Sequence, residues 1–142
     1  MKTVTSRVLT ALALLSISSP LLAQHNVALH DKDVRAIHAE DISYPAAAFT
    51  AGTQGVVVVR AKLDTQGNVI EAEAISGSDV LIPRTVENAK KWQFEPNSES
   101  AAIIVYNFRI HGVCQTAGVH SQMIFYPPNF AEITGCSAII ER

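Results

Sequence analysis

The sequence predicts an α+β domain. The expected architecture is a two-layer sandwich, with an antiparallel three-stranded sheet (β-β-α-β) packed on one main helix and a disulfide-tied C-terminal extension. Three observations predict it. Residues 56–63 open on a β-branched run and then alternate, and residues 69–75 return as a second strand after a short turn. Residues 82–93 repeat apolar positions at spacings of three and four. Residues 101–110 read as a third, largely apolar strand.

Composition bounds the function. A chain of 142 residues supports one domain, which excludes a multi-domain enzyme and an α/β barrel. With 48% hydrophobic and 17% charged residues, it has enough apolar material for a packed core and too little charge for wholesale disorder. A net charge of −2 gives no electrostatic reason to expect a nucleic-acid partner.

Residues 1–23 read as an export signal. Lys2 and Arg7 form a basic start, Val8 to Leu15 is apolar apart from Thr10, and Pro20 precedes a Leu-Leu-Ala cleavage site ending at Ala23. Ser16, Ser18, Ser19 and Pro20 cut the apolar run short of the ~20 residues a spanning helix needs. No other stretch is long enough to span. Removing 23 residues leaves 119. Two of the 11 basic residues leave with the signal and all 13 acidic ones stay, so the net charge moves to −4. Both cysteines, Cys114 and Cys136, remain in the exported part. In an oxidising compartment they are expected to form the one intramolecular disulfide that two cysteines allow.

The elements follow in order. Residues 24–43 read as a polar N-terminal extension or a short helix, with weak helical spacing at Val34 and Ile37. Its histidines, His25, His30 and His38, are five and eight apart and have no cysteine beside them, so no metal site is expected. Residues 44–55 read as a helical turn at Ala46–Ala48 and then a glycine-bearing approach to a strand.

Residues 56–63 form the clearest strand. Val57, Val59, Ala61 and Leu63 share one face, with Arg60 and Lys62 on the other. Gly67 suits the turn that follows. Charge sets the register of the returning strand: Lys62 should face Glu71, Ala61 Ala72, Arg60 Glu73, Val59 Ala74 and Leu63 Ile70. The hairpin then has one wet face and one that needs cover.

The helix supplies that cover. Ser76–Asp79 carries turn and cap chemistry, Pro83 fits a first turn, and Ile82, Val86, Ala89 and Trp92 form a stripe. Lys90 and Lys91 sit toward its end and Pro96 stops the segment. Trp92 and Phe94 read as core anchors. In the third strand, Ile104, Tyr106, Phe108 and Ile110 share one face and Ile103, Val105, Asn107 and Arg109 the other. In the extension at 111–142, residues 123–126 read as a short edge strand ending at Pro127-Pro128.

Over residues 44–110 the sequence resembles the C-terminal domain of TonB, the energy transducer of Gram-negative bacteria. Tyr44-Pro45 opens the likeness. Gly55 with the valine run, Leu63-Asp64 and Gly67-Asn68-Val69 match the first hairpin, and Ile75-Ser76-Gly77-Ser78 the turn before the helix. Ala89 and Lys91-Trp92-Gln93-Phe94-Glu95-Pro96 match the family's basic residue, Trp, Phe and Pro pattern.

The resemblance implies a periplasmic, non-catalytic binding domain without cofactors. Its partner would be a protein or extended peptide of the cell envelope, such as a TonB-dependent transporter. Contact would be by strand addition at a sheet edge. Carried over, the edge is the last strand, and its partner-binding residues are Ile103, Val105, Tyr106, Asn107 and Arg109. Self-association into a homodimer through that edge is the alternative use. The chain departs from a full transducer: only Pro45 precedes the hairpin outside the signal, and the ~20 residues before Tyr44 reach too short a distance to cross a periplasm. No energy coupling of its own is therefore expected. The cysteine-bearing tail lies outside the family pattern and either covers or extends the binding edge.

Two other readings stand beside this one. A structural or accessory envelope protein would use the fold as scaffold. A small secreted enzyme would draw on scattered groups, His111 and His120 near Cys114 and Asp64 and Asp79 in turns, but a disulfide would quench the thiol.

Overall fold

The computed structural model describes residues 34–98, 100–114 and 120–137. The export signal, His25 and His30 lie outside the described residues. The elements are β1 (Ala36–His38), α1 (Ala46–Thr50), β2 (Gly55–Leu63), β3 (Val69–Ser76), α2 (Ile82–Ala89), β4 (Gln93–Phe94), β5 (Ala101–Val113), β6 (Ser121–Tyr126) and β7 (Phe130–Ser137).

The architecture corrects the expected three-stranded sheet on one main helix. The main sheet has five strands in the order β3-β2-β5-β7-β6, and β1 and β4 form a separate two-stranded sheet. The main sheet is mixed: β5 pairs parallel with β7 and every other neighbour is antiparallel. Both helices are short, with five residues in α1 and eight in α2. The missing strands come from the tail. The chain leaves β5, runs back as β6 one strand-width further out, then turns and returns as β7 in the space between them.

The tail joins the sheet because it carries an apolar face. Ala131, Ile133 and Gly135 of β7 are buried, alternating with half-buried Phe130, Glu132 and Thr134. Gly135 lies directly beneath two aromatic rings: a Cβ there would come within 2.8–3.0 Å of Phe49 and 3.0 Å of Tyr44. Those rings belong to the segment around α1, so that segment covers β7 as α2 covers the hairpin.

The first hairpin pairs as its charges require. Val59 faces Ala74, Arg60 Glu73, Ala61 Ala72 and Lys62 Glu71. Leu63 faces Val69 rather than Ile70, because the register shifts between Lys62 and Leu63. Val57, Val59, Ala61 and Leu63 are buried, as is the matching face of β5 at Ala102, Ile104, Tyr106 and Phe108.

Residues 34–43 differ from the expected polar extension or helix. Val34, Ala36 and Ile42 are buried, and β1 pairs with β4, the strand formed by the middle of the Trp-x-Phe motif. The Glu95 N–H donates to the Arg35 carbonyl at 2.8 Å. Trp92 and Phe94 are core anchors, 2% and 0% exposed, with Trp92 packed edge-on against Tyr106 and Phe125.

Helix α2 turns a slightly different face inward than its apolar stripe suggests. Thr85, Asn88 and Ala89 are the buried positions, whereas Ile82 and Val86 are half-buried. Lys90 is the C-cap and Lys91 follows it. The helix start has no side-chain cap; the Ser78 carbonyl accepts from the N–H groups of Leu81 and Ile82.

Candidate functional site

The strand read as the binding edge is an interior strand. β2 flanks β5 on one side and β7 on the other. Along the β7 side, Val105 faces Phe130, Asn107 faces Glu132 and Arg109 faces Thr134. The Val105 N–H donates to the Asn129 carbonyl at 3.0 Å, and the Asn129 side-chain amide donates to the Ile103 carbonyl. The tail therefore covers the outer edge of β5 and carries the sheet margin outward to β6.

Four of the five residues assigned to that edge are together on a surface. Ile103, Val105 and Asn107 are half-buried and Arg109 is exposed, all on the side of the sheet away from α2. Tyr106 alternates to the opposite side. It is buried, and its hydroxyl donates to Asn88 Oδ1 at 2.9 Å. Burial pushes its phenol pKa far up, so it stays protonated.

Register places an apolar row across this open face: Val58 beside Val105, Val105 beside Phe130, and Phe130 beside Tyr126. The Tyr126 and Phe130 rings are 5.8 Å apart. Val56, Ile124 and Tyr126 are 48%, 39% and 46% exposed. Toward β3 the face becomes charged. Arg60 meets Glu73 at 3.0 Å, Lys62 lies across from Glu71, and these side chains with Ser100 and Ala101 line a shallow groove. The face thus offers an apolar strip with a mixed-charge border, the composition of a protein-binding patch.

Asn88 holds α2 beneath this surface. Its side-chain N–H groups donate to the carbonyls of Glu40 and Asp41, each at 3.0 Å, and its Oδ1 accepts from Trp92 Nε1 at 2.9 Å as well as from Tyr106. At the hairpin turn, Asp64 accepts from the side-chain and main-chain N–H groups of Asn68 and from the Gln66 N–H. These bonds hold its carboxyl below the usual range.

The groups considered for catalysis do not assemble a nucleophile. Cys114 and Cys136 are bonded to each other, 22 residues apart, so His111 and His120 have no thiol to activate. Among the described residues, no group of three or more His, Cys, Asp or Glu is placed to hold a metal ion, and no helix is long and apolar enough to cross a membrane.

Sequence reasoning missed Val58, Phe130, Ile124 and Tyr126 as parts of this surface. The alternation of Phe130, Glu132 and Thr134 with Ala131, Ile133 and Gly135 was the signal to find, diluted by Gly135 and Cys136. It also missed Asn88, whose i, i+4 spacing to Trp92 on a helix was the clue.

The family described as the Gram-negative bacterial TonB protein C-terminal matches residues 40–110. That span runs from the segment before α1 to Ile110 in β5, and leaves β6 and β7 beyond it. No curated protein and no solved structure matches the chain.

Proposed function

The chain belongs to the TonB C-terminal domain family, and from that premise we propose that it is a periplasmic protein-binding module of the Gram-negative envelope. The family is a non-enzymatic interaction domain whose partners include outer-membrane TonB-dependent transporters. The single observation that carries the reading for this chain is the sheet face centred on half-buried Ile103, Val105 and Asn107 and exposed Arg109, on which no described helix packs.

A partner docks on that face, and an extended segment of it adds at a margin of the sheet, because β5 already has strands on both sides. The export signal delivers the chain to the periplasm and is cleaved there. The module acts without energy coupling of its own.

A photo-crosslinking residue at Arg109 or Val58 tests this in cells. The expected result is an adduct with an outer-membrane transporter, absent when the probe replaces Thr50 on α1, which lies on the covered side. Adducts that form equally from both positions, or from neither, overturn the reading.

A further inference from the structure

Given that a partner docks on the open face, as proposed above, we infer that Glu132 selects it by charge: the occupant is an apolar segment of an envelope protein that carries a lysine or arginine seated over Glu132.

The place of Glu132 follows from the two ladders of β7. Asn107 of β5 stands opposite it on one flank and Ile124 of β6 on the other. Phe130 and Thr134, two residues away on either side, share its face of the strand, and all three are half-buried. Phe130 belongs to the row that runs from Val105 to Tyr126, and Val56 stands beyond Asn107. A carboxylate therefore lies inside the apolar strip, framed by Val105, Phe130, Ile124 and Val56, and not at its border.

The acidic side chains at the β3 end of the face already have a cation opposite. Arg60 meets Glu73 at 3.0 Å, and Lys62 stands across from Glu71. Glu132 has an uncharged residue on each flank. Its carboxylate makes no ion pair or hydrogen bond with another described residue. Arg109 stands opposite Thr134, at the next position along the same face.

In the free chain solvent satisfies a half-buried carboxylate. A partner that covers the strip removes that solvent, and a buried charge left unpaired is heavily penalised. A cation on the partner offsets the penalty. An apolar group at the same place does not, and an acidic one adds repulsion. The apolar row thus supplies attraction and Glu132 supplies selection, turning away segments that are wholly apolar or acidic. Arg109 repels a cation set over Thr134 and so favours the seat over Glu132.

Photo-crosslinking in cells from Val58, which lies two strands from Glu132, reads the occupant with the carboxylate intact, neutral or reversed. The adduct formed by the parent chain is expected to fall by roughly tenfold or more in Glu132→Lys, and by less in Glu132→Gln. Mass spectrometry of the adduct locates the partner segment, which is expected to hold a lysine or arginine. Exchanging that residue for glutamate should restore the adduct of Glu132→Lys, a rescue that general damage to the sheet does not produce. Circular dichroism reports the fold of each variant, and the nearly isosteric Glu132→Gln decides the matter should Glu132→Lys fail to fold. An adduct undiminished in both variants overturns the inference and leaves docking on this face standing. So do a partner segment without a basic residue, an exchange that restores nothing, and an adduct with a second copy of this chain. No adduct from the parent chain removes the docking and the inference together.

Discussion

The Tyr106 hydroxyl donates to Asn88 Oδ1 at 2.9 Å, tying the middle of β5 to the last turn of α2. The same oxygen accepts from Trp92 Nε1, and the same amide reaches back to the carbonyls of Glu40 and Asp41. One side chain thus satisfies four polar groups from three parts of the chain. A buried amide is tolerated only under that condition, because each unpaired buried group costs about 1–3 kcal/mol.

Replacing Asn88 with Ala should leave the Tyr106 hydroxyl and the Trp92 N–H without their acceptor. The expected loss is about 3 kcal/mol, against about 1 kcal/mol for Tyr106→Phe, which removes one bond. Urea unfolding of the two variants checks the order. Equal losses would mean that Asn88 is not the hub.

The burial that holds Tyr106 protonated has an alkaline consequence. Its folded pKa is raised, so the folded state keeps a proton that the unfolded chain releases near the ordinary tyrosine value of about 10. Its contribution is present in full below about pH 10 and is lost as pH rises further. Tyr44, whose hydroxyl donates to the Thr53 carbonyl, is shifted the same way by burial. Stability measured from pH 8 to 12 should fall above about pH 10. Tyr106→Phe should make that fall shallower without abolishing it.

The Cys114–Cys136 bond closes a loop of 22 residues that contains β6 and most of β7. Loop-closure entropy gives it about 3 kcal/mol. Cys114→Ser with Cys136→Ser should lower the unfolding free energy by about that amount, with the first loss of amide protection at the end of β7. An unchanged denaturation midpoint would contradict this.

Gly67 holds φ +85° in the hairpin turn, and its carbonyl accepts from the Phe94 N–H at 2.9 Å. A Cβ at this position would run into the Phe94 carbonyl. Gly67→Ala should therefore cost about 2 kcal/mol or more, from left-handed strain and loss of the turn's seat on β4. Thermal unfolding checks it.

The pieces legible in the sequence are those whose pattern is local. Arg60 against Glu73 and Lys62 against Glu71 set the hairpin register by charge alone, and the bulk of Trp92 and Phe94 at the end of a helical stripe marks them as core. The slip of Leu63 onto Val69 is not legible, because a bulge trades one backbone step for packing that only the folded turn imposes. β1 is hidden because three residues, Ala36–His38, show no period; β4 alone makes them a strand. β7 is hidden because Ala131 and Gly135 are small for the tightness of their surroundings, where Tyr44 and Phe49 press on Gly135, and not for want of a face. The residues proposed as the binding edge lie on one strand as read. Whether that strand has a free edge depends on a parallel partner that follows only after a further strand. No local pattern states such a pairing.

Amide hydrogen exchange of β5 tests most directly that the tail completes the sheet. Val105 donates to Asn129, and by alternation Asn107 and Arg109 also turn their N–H groups toward β7. These three amides should exchange as slowly as those of Val57 and Val59 in the core. Exchange as fast as that of the exposed turn at Thr65 and Gln66 would leave the outer edge of β5 open and contradict the five-stranded sheet.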